Sequence, residues 1–208
     1  MKPFEQHIGV CADIPINNVD TDQIIPSREM NRVSKQGLGE GLFAGWRYLY
    51  EGTEKVGENS EFVLNKPAFA NTSILLSAQN FGCGSSREHA VWALRDFGIR
   101  VIIAESFGRI FKNNCARNGI LAIPLAPESI RHLREQTQHD PQTCLLSVDL
   151  AQLTITTPDG NPLSFDMPTF DREMLLKGLD YIDYTLQFES DIESFIKEDS
   201  NSRPWAHL

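Results

Sequence analysis

The chain is 208 residues long and 41% hydrophobic, enough to fill a sizeable core. Its 28 acidic residues outnumber 19 basic ones, and the formal net charge of −9 argues against nucleic acid and leaves any bound anion to a local site. No run approaches the roughly 18 uninterrupted apolar residues of a membrane span, and Met1-Lys2-Pro3-Phe4-Glu5-Gln6-His7 has no apolar signal core, so the expected location is the cytoplasm.

In chain order, Ile8 to Ile14 reads as a short strand, followed by Asn17-Asn18-Val19-Asp20-Thr21-Asp22 as a polar turn. Residues 27–60 are rich in glycine and charge around a patchily aromatic stretch (Phe43, Trp46, Tyr48, Tyr50), and read as a long loop of the functional or mobile kind. From Thr72 the pattern becomes regular. Ser73 to Ala78 is a buried strand, a glycine-rich turn follows, and Ala90 to Phe97 has helical spacing ended by Gly98. Val101 to Ala104 is a second buried strand, Ile110 to Ala116 a short helix, and Ile120 to Ile123 a third strand, a succession that favours an α/β layer. Glu128 to Gln136 reads as a polar helix. Leu145 to Thr156 is β-rich, and the turn Thr157-Pro158-Asp159-Gly160 suggests a hairpin. The tail, 171–208, reads as two helices broken near Gly178. With no internal repeat, the economical expectation is one α/β domain over 1–208.

The segment richest in chemistry is Asn80-Phe81-Gly82-Cys83-Gly84-Ser85-Ser86-Arg87-Glu88-His89-Ala90, between a buried strand and an amphipathic helix. Its structural reading is a capping box, Ser85-x-x-Glu88. Its functional reading is an anion site. Gly82 and Gly84 allow tight bends with uncovered amides, and a helix starting at Ser86 would bring its positive end to the same place. Two adjacent hydroxyls and the Arg87 guanidinium add directed donors, and an arginine fork grips a carboxylate by two parallel hydrogen bonds. The spacing is neither that of a phosphate loop nor of a dinucleotide fingerprint, and no Gly-x-Ser-x-Gly elbow is present. An alkoxide at Ser85 would be stabilised by the amides, the helix end and Arg87, so Ser85 is a candidate base.

These eleven residues resemble the signature of the swivelling β/β/α domain of the aconitase superfamily, in the form carried by small subunits of 3-isopropylmalate dehydratase. Asn18-Val19-Asp20-Thr21-Asp22-Gln23-Ile24-Ile25-Pro26 is similar to that family's first substrate-side loop. Gly41-Leu42-Phe43, Trp46-Arg47-Tyr48-Leu49 and Asn113-Asn114-Cys115-x-x-Asn118-Gly119 extend the likeness to about residue 125 and, more weakly, into the tail.

The resemblance implies a hydro-lyase active only as a heterodimer. In it a large subunit carries a [4Fe-4S] cluster, and water is lost and re-added to interconvert 2- and 3-isopropylmalate in leucine biosynthesis. It implies Ser85 as the base that removes and returns the carbon-bound proton, Ser86 and Arg87 at the substrate carboxylates, and Asp22 as an acid near the site. The four cysteines here, Cys11, Cys83, Cys115 and Cys144, are scattered, which agrees with a chain that holds no metal and borrows its cluster.

Other candidates have structural readings. Cys83, between two glycines, reads as close packing, and His89 as a packed or hydrogen-bonding histidine. Asp20 and Asp22 read as local caps, and only the family match promotes Asp22. The aromatic group reads as core or subunit interface. The chain departs from the family pattern at Ser27-Arg28-Glu29-Met30-Asn31-Arg32, at Lys35-Gln36-Gly37 and at Val91. Two alternatives therefore stand beside the leucine-pathway substrate: a paralogous enzyme for another substituted malate (methylmalate, dimethylmalate, homocitrate), and a non-catalytic carboxylate-binding module.

Overall fold

The structure is a computed structural model that describes residues 1–30, 34 and 36–206. The family departures at Asn31, Arg32 and Lys35 lie outside the described residues.

The elements run in chain order as β1 (Gln6–Ile14), α1 (Thr21–Ile24), α2 (Ala44–Arg47), β2 (Tyr48–Glu51), β3 (Glu54–Glu58), β4 (Thr72–Ser77), α3 (Glu88–Phe97), β5 (Val101–Ala104) and α4 (Arg109–Arg117). They continue with β6 (Leu121–Pro124), α5 (Pro127–Thr137), β7 (Leu146–Asp149), β8 (Thr154–Thr156), β9 (Pro162–Ser164), α6 (Thr169–Lys177), α7 (Tyr181–Leu186) and α8 (Glu189–Ser202).

Seven strands form one mixed sheet in the order β6-β5-β4-β1-β7-β8-β9. The half from β6 to β1 is parallel and the half from β1 to β9 antiparallel. The two halves meet in β1. Its first residues pair with β7, Gln6 opposite Asp149 and Gly9 opposite Leu146, while its later residues pair with β4, Cys11 opposite Ile74 and Ile14 opposite Ser77. A register shift between Val10 and Cys11 marks the change.

Both faces of the parallel half are covered, so its strands read as continuous apolar runs and alternate residues enter different clusters. Leu75, Ile102 and Ala122 pack with Ala90, Leu94, Phe111 and Cys115 of α3 and α4, and with Ile24, Leu42 and Phe43 from the segment after β1. Ile74, Leu76, Val101, Ile103, Leu121 and Ile123 pack on the other face with Ile130 and Leu133 of α5 and Leu175 of α6.

The α/β expectation holds, with β5 at its expected bounds, but local expectations change. Residues 27–60 include α2 and the separate β2–β3 hairpin. Phe43 is fully buried and stacks on Trp46 with ring centroids 5.4 Å apart, and Tyr48 is buried as well. The tail after Gly178 holds α7 and α8 where one helix was expected, because Asp180 opens α7 with a reciprocal capping box to Asp183. The β-rich run Leu145–Thr156 is two strands, β7 and β8. The expected hairpin about Asp159 is β8–β9. Among the described residues no helix is long and apolar enough to cross a membrane.

Candidate functional site

The site is built where three connections leave the same end of the parallel strands. After β4 the backbone takes left-handed values at alternate positions, Asn80 (φ 60°), Gly82 (φ 73°) and Gly84 (φ 87°), so the chain doubles back tightly before α3. A side chain larger than hydrogen at Gly82 would meet Phe111, since a Cβ there would lie 2.2 Å from the ring. Sterics therefore require glycine at that position twice over.

The loop is sewn to its neighbours by main-chain hydrogen bonds. The Gly82 amide donates to Val19 at 2.7 Å, the Thr21 amide donates to Cys83 at 3.0 Å, and the Phe81 amide donates to Ser106 at 3.0 Å. The Gly108 amide in turn donates to Phe81 at 2.9 Å. The Thr21 hydroxyl donates to the Ser85 carbonyl at 3.0 Å. These bonds fix the loop from both sides and leave its hydroxyl side chains outward.

Ser85 and Ser86 are exposed, and neither hydroxyl has a hydrogen-bond partner among the described residues. They line a cleft of about 390 Å³ together with Thr21 and Arg87 on one side and Arg109, Ile110 and Asn114 on the other. Such a volume suits a small organic acid. The lining joins hydroxyls and two guanidiniums to two strongly apolar side chains, the buried Phe111 and Ile110, which is 52% exposed. Chemically the cleft offers directed donors for carboxylates beside an apolar rim.

The helix does not start at Ser86. α3 begins at Glu88, Arg87 stands at its N-cap with extended backbone, and no side chain caps it. The capping box Ser85-x-x-Glu88 is therefore absent. Glu88 instead accepts from the Asn118 side-chain amide at 2.7 Å, and the Ser85 carbonyl accepts from the Arg87 amide at 2.8 Å. The positive end of α3 still opens beside the loop, two residues later than expected.

Asp20 and Asp22 part company. Asp20 caps α1, its carboxylate accepting from the Gln23 amide at 2.7 Å while the Gln23 side chain accepts from the Asp20 amide. Asp22 accepts from the Arg87 guanidinium and from the Ser27 hydroxyl, and Ser27 accepts in turn from Arg87 at 2.9 Å. The structure thus brings Ser85, Ser86 and Arg87 to one cleft and places Asp22 behind Arg87. Arg28 and Glu29 do not line the cleft, and the Glu29 carboxylate accepts from the Tyr50 hydroxyl at 3.5 Å.

His89 packs on Trp92, ring centroids 4.7 Å apart. Sequence reasoning missed Ser27, Thr21, Arg109 and Ile110 as members of the site. Thr21 lies inside the matched segment Asn18–Pro26, whereas nothing local marks Ile110 as exposed.

No group of three or more His, Cys, Asp or Glu side chains suited to a metal occurs among the described residues. Cys11 and Cys115 are buried, and burial pushes both thiols well above their ordinary range, which disfavours the thiolate a cluster requires. Among the described residues the donor set does not fit an iron–sulfur cluster.

The Aconitase C-terminal domain family matches residues 1–128. Over 208 residues the chain is 51% identical to the 3-isopropylmalate dehydratase small subunit of Cupriavidus necator, covering 100% of this chain and 99% of that protein. The chain belongs to the family of 3-isopropylmalate dehydratase small subunits. The Agrobacterium fabrum member of this family is 46% identical over 206 residues, covering 99% of this chain and 100% of that protein. The crystal structure of a 3-isopropylmalate dehydratase from Methanocaldococcus jannaschii has the same fold, with a TM-score of 0.64 at 24% identity over 91% of this chain and 98% of that one. The small-subunit family therefore extends through α8, beyond the residues matched to the aconitase domain.

Proposed function

We propose that this chain is the small subunit of a hydro-lyase that interconverts 2-isopropylmalate and 3-isopropylmalate by dehydration and rehydration, a step of leucine biosynthesis. Full-length similarity to proteins bearing that name supports the reading. The observation that carries the site assignment is the pair of unpartnered hydroxyls, Ser85 and Ser86, beside Arg87 in a cleft of organic-acid size. A large subunit is the partner, as the name of the relatives implies, and it bears the [4Fe-4S] cluster. When bound, that cluster supplies a Lewis acid for the substrate hydroxyl.

This chain supplies the remaining functions. Arg87 holds a substrate carboxylate through paired hydrogen bonds and is itself steadied by Asp22 and Ser27. Ser86 donates its hydroxyl to the same carboxylate. Ser85 removes the carbon-bound proton and returns it on the other carbon, its oxygen stabilised as an anion by Arg87 and the open end of α3. Asp22 acts through Arg87 and so is a positioning residue. Ile110 forms the apolar rim against which the alkyl group packs.

The test is co-purification with the cognate large subunit, then anaerobic assay against isopropylmalate, methylmalate, dimethylmalate and homocitrate. Highest kcat/KM on isopropylmalate supports the reading, and preference for another malate replaces it with the paralogue. The single chain, purified anaerobically, should carry no iron or sulfide. Stoichiometric iron there, or a reconstituted complex inactive on all four acids, would reject the proposal.

A further inference from the structure

Arg95, in the last turn of α3, and Arg100, two residues past Gly98, lie at the other end of the helix from Arg87. Ten helical residues separate the two ends by about 15 Å. Neither guanidinium has a hydrogen bond or ion pair among the described residues. The two are close enough to feel one another. Burial first, and the charge of Arg100 second, hold Arg95 below the usual arginine range. Like charges so placed repel unless an anion lies between them.

Both arginines line two cavities. One, of about 360 Å³, is completed by Gln36, Trp92, Asp96 and Asn118. The other, of about 130 Å³, includes Lys2 and His7. Asp96 is the one acid in either lining among the described residues, and its carboxylate is engaged by the Gly39 amide at 2.8 Å. In a chain of net charge −9, this is a local concentration of positive charge lining cavities among the described residues.

We propose that Arg95 and Arg100 together bind a small oxyanion, a phosphate or the carboxylate of a small organic acid, in the cavity beside Trp92. The site is separate from the cleft at Ser85. Two guanidinium forks offer four or more directed donors, the arrangement suited to a planar carboxylate or a phosphate. The larger cavity accommodates an acid of several carbons. Its wall also connects to the first turn of α3, because the Trp92 indole donates to the Asn118 side chain at 3.1 Å and Asn118 donates to Glu88 at 2.7 Å.

Isothermal titration of the full chain in low-chloride buffer tests this, with inorganic phosphate in one arm and malonate in the other. One-to-one binding in at least one arm is expected, and the arm that binds identifies the source of the oxyanion. Arg87→Gln should retain that binding, which separates it from the cleft. The double variant Arg95→Gln/Arg100→Gln should weaken it by about tenfold or more, the loss expected when charged hydrogen bonds are removed. Should the double variant melt early, Arg100→Lys decides, since it keeps the charge, loses the fork and should still weaken binding. Absence of heat in both arms, undiminished binding in the folded Arg95 and Arg100 variants, or loss of binding in Arg87→Gln would overturn the proposal.

Discussion

The Arg87 guanidinium donates to the carboxylate of Asp22, joining residues 65 positions apart in sequence behind the wall of the cleft that Arg87 forms. The Ser27 hydroxyl closes the triangle, 2.9 Å from Arg87 and 3.2 Å from Asp22. The pair is partly exposed, its side chains at 31% and 50% accessibility, so solvent screens it and its contribution to stability is about 0 to 1 kcal/mol. Its consequence is orientation. Asp22→Asn should leave the melting temperature nearly unchanged while raising KM by a few-fold to about tenfold, with a smaller effect on kcat. An unaltered KM in the reconstituted enzyme would return Asp22 to a purely local role.

Ser85→Ala separates chemistry from folding. Because the Ser85 side chain caps no helix, its loss should not lower the melting temperature by the amount, about 1 kcal/mol of stability, that removing an N-cap costs. A proton-transferring group contributes on the order of 10²- to 10⁴-fold to rate, and kcat should fall by at least that much with KM little changed. Near-normal turnover in a folded heterodimer would end the assignment of Ser85 as base.

Gly82→Ala should be strongly destabilising. The new methyl would require a left-handed backbone at φ 73° and would overlap the Phe111 ring, so strain and overpacking add to about 2 to 4 kcal/mol. Gly84→Ala is the control. Its backbone is equally left-handed, but the nearest atom, Asp20 Cβ, is 3.3 Å away, a tight contact relieved by a shift of a few tenths of an ångström, so the conformational cost of about 1 to 2 kcal/mol dominates. Urea unfolding of both variants compares them directly, and equal losses would contradict the packing argument.

Arg134→Ala should cost about 2 to 4 kcal/mol. Arg134 of α5 grips both oxygens of Asp13, its Nη2 to Oδ1 at 3.1 Å, and burial raises the Asp13 carboxyl while Arg134 opposes that rise. Without its partner the half-buried carboxylate must ionise unpaired or take up a proton. Asp13→Asn/Arg134→Ala should recover part of the loss, which a double-mutant cycle would measure.

The parallel half of the sheet was legible because both of its faces are buried, and Val101-Ile102-Ile103-Ala104 has nowhere to alternate. The β2–β3 hairpin was not. Its strands carry Glu51, Glu54, Lys55 and Glu58, and pair off the main sheet with little burial, so charge conceals the extended backbone. The loop Gly82–Arg87 was found from its glycines and hydroxyls. The start of α3 was misplaced, because Ser85-x-x-Glu88 has the letters of a capping box while Asn118, 30 residues beyond Glu88, holds the glutamate elsewhere. The Asp22–Arg87 pair and the two arginines at the far end of α3 depend on how loops and strands are brought together, which no local pattern encodes.

The interlocking of the cleft also sets when it can exist. Thr21, Ser85 and Phe111 belong to three separate stretches of chain, and Gly82 rests on the Phe111 ring. A protein emerging from the ribosome, at roughly 5 to 20 residues per second, exposes Ser85 and Ser86 seconds before α4 has left the exit tunnel. Until then the hydroxyls hang on a glycine loop with no floor. A nascent chain halted between Ser86 and Phe111 would carry every proposed acid-binding side chain of that loop yet offer no cleft. It would be cut readily by protease at Gly82–Ser86, and chains extended through α4 would resist.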